Sequence, residues 1–179
     1  MRTFLAVEIP EQVRRKVDHF INEEKKNRLP IKWIEIDNLH ITLKFLGEID
    51  EKKQQEILSV LEEISKSKPS FQMDLEGVGC FPHLRNPRVL WIAVQQGNEV
   101  LTDIANELEE GLSPFGFKME KRFHGHLTIG RIKKFCKVDD ILARSFKSEV
   151  FSAGAITLFK STLTPQGPIY EALEKFNLG

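Results

Sequence analysis

Long apolar runs are missing from this 179-residue chain, and with them any stretch suited to a membrane-spanning helix. Net charge is missing as well. The 26 Lys and Arg residues balance 26 Asp and Glu, so no overall field draws the protein to nucleic acid or to a membrane. Any contact with a polyanion has to come from local patches. Cysteine is scarce: Cys80 and Cys136 show neither metal-ligand spacing nor a disulfide framework. Free thiols in a cytoplasmic protein are the expectation. The opening segment, Met1 to Pro10, turns acidic at Glu8 too soon for a signal peptide and reads as a first strand. The length suits one domain, or two small lobes sharing an interface.

What the chain does have is one short pattern twice. Leu39 to Gly47 reads LHITLKFLG and Gly125 to Gly130 reads GHLTIG. As strands, their side chains alternate faces. His40, Thr42 and Lys44 then share a polar face, with Ile41, Leu43 and Phe45 on the apolar one. His126 and Thr128 likewise stand opposite Leu127 and Ile129. One H-x-T triplet is commonplace. Two, one per half of the chain, each in alternating apolar context and each closely followed by glycine, point to an internal duplication with a site between the halves.

The rest of the chain supplies the frame. Thr3 to Ile9 reads as a strand, Glu11 to Lys26 as a helix and Ile31 to Ile36 as a strand. A helix capped by Asp50 follows, from Glu51 to Ser65, then a strand from Ser70 to Val78. The turn-rich stretch Gly79 to Pro87, extended to about residue 88, is expected to join the halves of a single bilobal domain, 1–179. Then come a strand (Val89 to Val94), a helix (Asn98 to Leu112), the second H-x-T strand within Lys118 to Ile132, and a short helix from Val138 to Phe146. A long strand from Glu149 to Leu163, bulged at Gly154, and a last strand from Ile169 to Phe176 complete the order. It predicts an α+β fold of two sheets, with helices on their outer faces and the two H-x-T faces opposed across a cleft.

Two histidines in one cleft can divide acid and base work, because imidazole titrates near neutral pH. That division suits phosphodiester cleavage, with the threonine hydroxyls donating to phosphate oxygens. No carboxylate cluster like that of a two-metal site stands beside either motif, so no metal or other cofactor is expected. A zinc site would need His124 as a third ligand and would leave the threonines without a task. His19 and His83 read as bystanders. Basic residues that could touch a polyanion are Arg85, Arg88, Lys118, Lys121, Arg122, Arg131, Lys133 and Lys134, each by itself an ordinary solvated charge. By alternation Arg131 falls on the apolar face, unless a bulge at Gly130 redirects it. Phe45, Phe81, Phe123 and Tyr170 are candidates for stacking on a base, although parity assigns Phe45 and Phe123 to the core.

At these motifs the chain resembles the 2H phosphoesterase superfamily, and within it the RNA 2′,3′-cyclic phosphodiesterases, also called the 2′-5′ RNA ligase family. The similarity also covers Phe4 to Pro10, Trp33 to Glu48, Gly77 to Val94, His126 to Arg131 and Leu158 to Leu173. It implies two pseudo-symmetric lobes around a groove, and hydrolysis of RNA 2′,3′-cyclic phosphate ends to 2′-phosphates. It implies His40 as proton donor, His126 as the base that activates water, and Thr42, Thr128 and Arg131 on the phosphate. Reverse 2′-5′ joining of tRNA halves comes with the resemblance. A cytoplasmic monomer without membrane contact is expected. The rivals are a phosphodiesterase of a small cyclic nucleotide and a non-catalytic nucleotide-binding module of the same fold.

Overall fold

The computed structural model describes residues 1–120 and 122–179. Among these residues ten strands and four α-helices follow in the order β1 (Arg2–Glu8), α1 (Glu11–Lys25), β2 (Ile31–Trp33), β3 (His40–Glu48), α2 (Glu51–Ser67), β4 (Phe71–Met73), β5 (Leu75–Phe81), β6 (Val89–Val94), α3 (Asn98–Leu112), β7 (His126–Ile132), α4 (Asp139–Leu142), β8 (Phe151–Ala153), β9 (Ala155–Thr164) and β10 (Gly167–Asn177). All pairings are antiparallel. One sheet has the order β10-β9-β1-β3 and a second the order β2-β7-β6-β5, with β4 and β8 forming a separate ribbon. Each large sheet therefore takes strands from both halves of the chain.

The helices form where the apolar spacing predicts them. α1 buries Val13, Val17, Phe20 and Ile21. α2 buries Ile57, Val60, Leu61 and Ile64, and Asp50 caps it by accepting from Lys53 N at 2.8 Å. α3 buries Leu101, Ile104, Ala105, Leu108 and Leu112. With the inner faces of both sheets these stripes make one continuous apolar core.

Three local expectations are corrected. The strand expected from Ser70 to Val78 breaks at Asp74, whose buried carboxylate accepts from Gln96 N at 2.8 Å. The single strand from Glu149 to Leu163 is interrupted at Gly154, and its parts join different sheets: β8 pairs with β4, and β9 with β1 and β10. The helix from Val138 to Phe146 shrinks to the four residues of α4, with no side-chain cap.

The most consequential departure is repeated. On β3, Thr42 lies opposite Ala6 but Lys44 lies opposite Leu5, so Leu43 is an extra residue in the ladder. On β7, Thr128 lies opposite Trp91 but Gly130 lies opposite Leu90, so Ile129 is extra. A bulge of this kind reverses the alternation beyond it. Each histidine is thus followed by the same irregularity, three residues on. The residue five positions after it turns to the polar face: Phe45 after His40, Arg131 after His126. The expectation that Phe45 belongs to the core is overturned, since it is 62% exposed. Lys44, expected on the polar face, is 2% exposed beside Leu5. Arg131 leaves the apolar face for the side of His126 and Thr128.

Candidate active site

The opposed polar faces of the two sheets enclose a cavity of about 440 Å³. His40, Thr42, His126, Thr128 and Arg131 all line it, so the five residues singled out from sequence meet in one place. β3 and β7 begin with the histidines, so each imidazole is fixed by the strand and by the residues just before it. His40 Nδ1 donates to the carbonyl of Asn38 at 2.7 Å. His126 Nδ1 donates to the carbonyl of His124 at 2.6 Å. A carbonyl can only accept, so Nδ1 carries the proton in each neutral ring and Nε2 is the bare nitrogen. Nε2 of His40 accepts from the Thr42 hydroxyl at 3.0 Å. The two sites share this design: a tautomer held by the carbonyl two residues upstream, with Nε2 free of the backbone.

Each histidine also lies on a bed of aromatic rings. Phe4 stacks on His40 with centroids 4.8 Å apart, and Tyr170 meets the ring edge-on at 5.0 Å. Phe159 stacks on Phe4 behind them. On the other sheet, Phe81 meets His126 edge-on at 5.1 Å, with Trp91 beside both. Trp91 has room because Gly79 lies beneath it: a Cβ there would fall 2.2 Å from the indole. Gly79→Ala must therefore displace Trp91. It is expected to cost about 1–3 kcal/mol, as overpacking does, and to shift the His126 ring resonances. A variant as stable as the parent, with those resonances unmoved, would refute the packing argument.

Burial decides the charge of both rings. It pushes His40 down to about 4, outweighing the Asn38 carbonyl, which favours the proton; the positive charges of Arg14 and Arg131 act in the same direction as burial. Burial lowers His126 too, with help from His124 and Arg131. Both rings are neutral at pH 7. The unfolded chain takes up these protons near pH 6.5, so for His40 it binds more protons than the folded protein between 6.5 and about 4, and His126 acts in the same direction. Stability is full above that window and falls as the pH drops through it, by up to about 1.4 kcal/mol per pH unit for each linked ring. Denaturation midpoints measured from pH 7 to pH 5 should decline less steeply in His40→Phe than in the parent. Parallel declines would remove His40 from the linkage.

The other sequence candidates separate cleanly. Phe45, Phe81, Phe123, Arg122 and Tyr170 line the cavity. Phe81 and Tyr170 already pack on histidine rings. Phe45 offers an open face. Phe123, assigned by parity to the core, lies outside β7; it is half-buried, touching core on one side and the cavity on the other. His124 is exposed, its ring 5.9 Å from that of His126. Arg85, Arg88, Lys118, Lys133 and Lys134 do not line the cavity, and Lys121 lies outside the described residues. His19 pairs with Glu23 at 2.7 Å on the surface of α1, and His83 is exposed on the β5–β6 loop. Phe4, Phe159 and Trp91, which support the histidines, were not legible as site residues, because each touches its histidine only once sheets have formed.

The family described as LigT like Phosphoesterase matches the chain twice, over residues 7–91 and 92–170, so each match contains one H-x-T strand. A Methanocaldococcus jannaschii protein named RNA 2′,3′-cyclic phosphodiesterase is 41% identical, over 98% of this chain and 100% of its own. One of the same name from Archaeoglobus fulgidus is 42% identical over 98% and 99%. A crystal structure of a Thermus thermophilus protein superposes with a TM-score of 0.86 at 28% identity, covering 99% of this chain and 98% of that one. The Escherichia coli LigT crystal structure with 3′-AMP superposes at 0.81 and 25% identity, covering 99% and 96%.

Proposed function

The chain belongs to the LigT-like phosphoesterase family, and on that footing we propose that it hydrolyses 2′,3′-cyclic phosphate ends of RNA to 2′-phosphates, with His40 and His126 as acid and base. The observation that carries this reading is the pair of imidazoles around one cavity, each with Nδ1 committed to a carbonyl and Nε2 available.

Water attacks phosphorus and gives its proton to Nε2 of His126. The bond from phosphorus to O3′ breaks, and Nε2–H of His40 protonates the departing oxygen. Burial leaves His40 neutral at pH 7 in the free protein, so in this division it takes up its proton as the substrate binds. The anionic phosphate stabilises that imidazolium once bound. Protonated His40 no longer accepts from Thr42, which frees the Thr42 hydroxyl to turn to a phosphate oxygen. Thr128 and the Arg131 guanidinium hold the remaining charge as it grows in the transition state. Phe45 offers its exposed ring to the terminal base. Joining of RNA ends through a 2′-5′ bond is the same displacement at phosphorus, with a 5′-hydroxyl in the place of water and O3′ again leaving. We take residues 1–179 as one functional unit, a reading supported by sheets that draw strands from both sides of the 79–88 segment.

The deciding experiment incubates the protein, in excess EDTA, with a short RNA ending in a 2′,3′-cyclic phosphate, and identifies the product end. A 2′-phosphate is expected. A 3′-phosphate would exchange the oxygen that His40 protonates. Absence of product with RNA, but turnover of a small cyclic nucleotide, would overturn the RNA reading.

A further inference from the structure

The cavity around the histidines suits one nucleotide, and an RNA end brings more. Where the upstream strand lies can be read from the charge at the two ends of the cleft. At one end the cleft adjoins a second cavity of about 780 Å³, with which it shares Arg122, Phe123 and His124. The carboxylates of Glu99 and Asp103 line that neighbour. At the other end lies Arg131, and directly opposite it across the β2–β7 ladder is Lys32. Residues paired this way project from the same face of the sheet, with Cβ atoms about 4.5–5.5 Å apart. Lys32 is exposed, on the edge strand of its sheet. Its ammonium lies over the turn of the β9–β10 hairpin, 3.8 Å from where a Cβ on Gly167 would be. Among the described residues neither Lys32 nor Arg131 is in an ion pair.

A polyanion in a protein of zero net charge follows local fields. Among the described residues at the Glu99–Asp103 end two carboxylates outnumber the one cation, Arg122, whereas the Lys32–Arg131 end carries two uncommitted cations side by side. Resting on the RNA-end reading above, we propose that the strand upstream of the terminal nucleotide leaves the cleft across the β2–β7 edge. Arg131 stays with the terminal phosphate, and Lys32 holds the phosphodiester that links the last two nucleotides. Lys32 thereby lets the enzyme prefer an RNA end to a free cyclic mononucleotide.

The test compares dissociation constants, by calorimetry, for a nucleoside 2′-phosphate and a trinucleotide ending in a 2′-phosphate. Matching kcat/KM values come from the two cyclic phosphates. The parent is expected to favour the trinucleotide several-fold. Lys32→Gln should bring the trinucleotide-to-mononucleotide ratio close to one, and flatten the log–log salt dependence of trinucleotide binding by about 0.7, the value for one single-strand phosphate contact. Lys32→Arg should keep both. Lys32 is exposed and unpaired among the described residues, so these variants do not threaten the fold. An unchanged ratio and slope in Lys32→Gln would overturn the path, as would a ratio that responds instead to Glu99→Gln with Asp103→Asn. Absence of hydrolysis of either cyclic phosphate would overturn the phosphodiesterase reading, while the binding ratio still decides the path.

Discussion

Replacing either His40 or His126 by alanine is expected to lower the rate of cyclic phosphate hydrolysis by about 10²–10⁴-fold, the range that a positioned acid or base contributes. The double variant should be scarcely worse than the weaker single one, because the proton taken at one ring and the proton given at the other belong to one displacement. The fold should survive both changes. His40 packs on a small cluster of Phe4, Ala6 and Phe159 that is separate from the main core. His126 rests on Phe81, with Trp91 beside both. Circular dichroism would establish the fold, and single-turnover rates would establish the loss. A single variant retaining more than about a tenth of the parental rate would sink the two-histidine mechanism.

The second large effect is on stability. Lys44 sits on the strand that carries His40, between Thr42 and Phe45, yet is turned inward. Its ammonium donates to Glu109 Oε1 on α3 at 2.8 Å and to the carbonyl of Lys118 at 2.9 Å. Glu109 Oε2 in turn accepts from Glu120 N at 3.2 Å. The side chains of Lys44 and Glu109 are only 2% and 12% exposed. Removing one member of a buried pair leaves the other charged and unsatisfied, at a cost of about 3–5 kcal/mol. Lys44→Met should therefore remove a large part of a typical folding free energy of about 5–15 kcal/mol. Lys44→Met combined with Glu109→Leu should recover most of it, since a well-packed apolar pair often replaces a buried ion pair without loss. Denaturant midpoints decide the matter: a Lys44→Met midpoint equal to the parent's would show that the pair carries no stability. The double variant also loosens the carbonyl of Lys118 and the amide of Glu120 in the segment leading to Arg122 and Phe123. Recovered stability with a raised KM would locate the pair's second role in shaping that wall of the cleft.

Much of the molecule was legible one element at a time. The stripes of α1, α2 and α3, the Asp50 cap and the two H-x-T strands are all signals with a period of two or 3.6 residues. The duplication was legible because its two copies can be compared without knowing where either lies. The errors of face on β3 and β7 share one cause. Phe45 and Lys44 were placed on the wrong faces, and Arg131 was left to depend on a bulge at Gly130, because a bulge follows each threonine and a bulge belongs to a pair of strands. Leu43 is extra only against Leu5 and Ala6, and Ile129 only against Leu90 and Trp91. The strand split at Gly154 has the same origin, since its halves answer to different neighbours.

The sequence by itself determined the chemistry available: two imidazoles and two hydroxyls, each pair on one strand face, two residues apart by the geometry of an extended chain. Only the tertiary structure decided what those groups are. Burial against Phe4 and Tyr170 on one sheet, and against Phe81 and Trp91 on the other, holds both rings neutral. Ladder register turns Phe45 and Arg131 toward the cleft, adding one aromatic ring and one cation to its lining. Periodicity is a property of consecutive residues. Desolvation and register depend on residues that the chain brings together from far along the sequence, as when β1 is laid beside β3 or Tyr170 against His40.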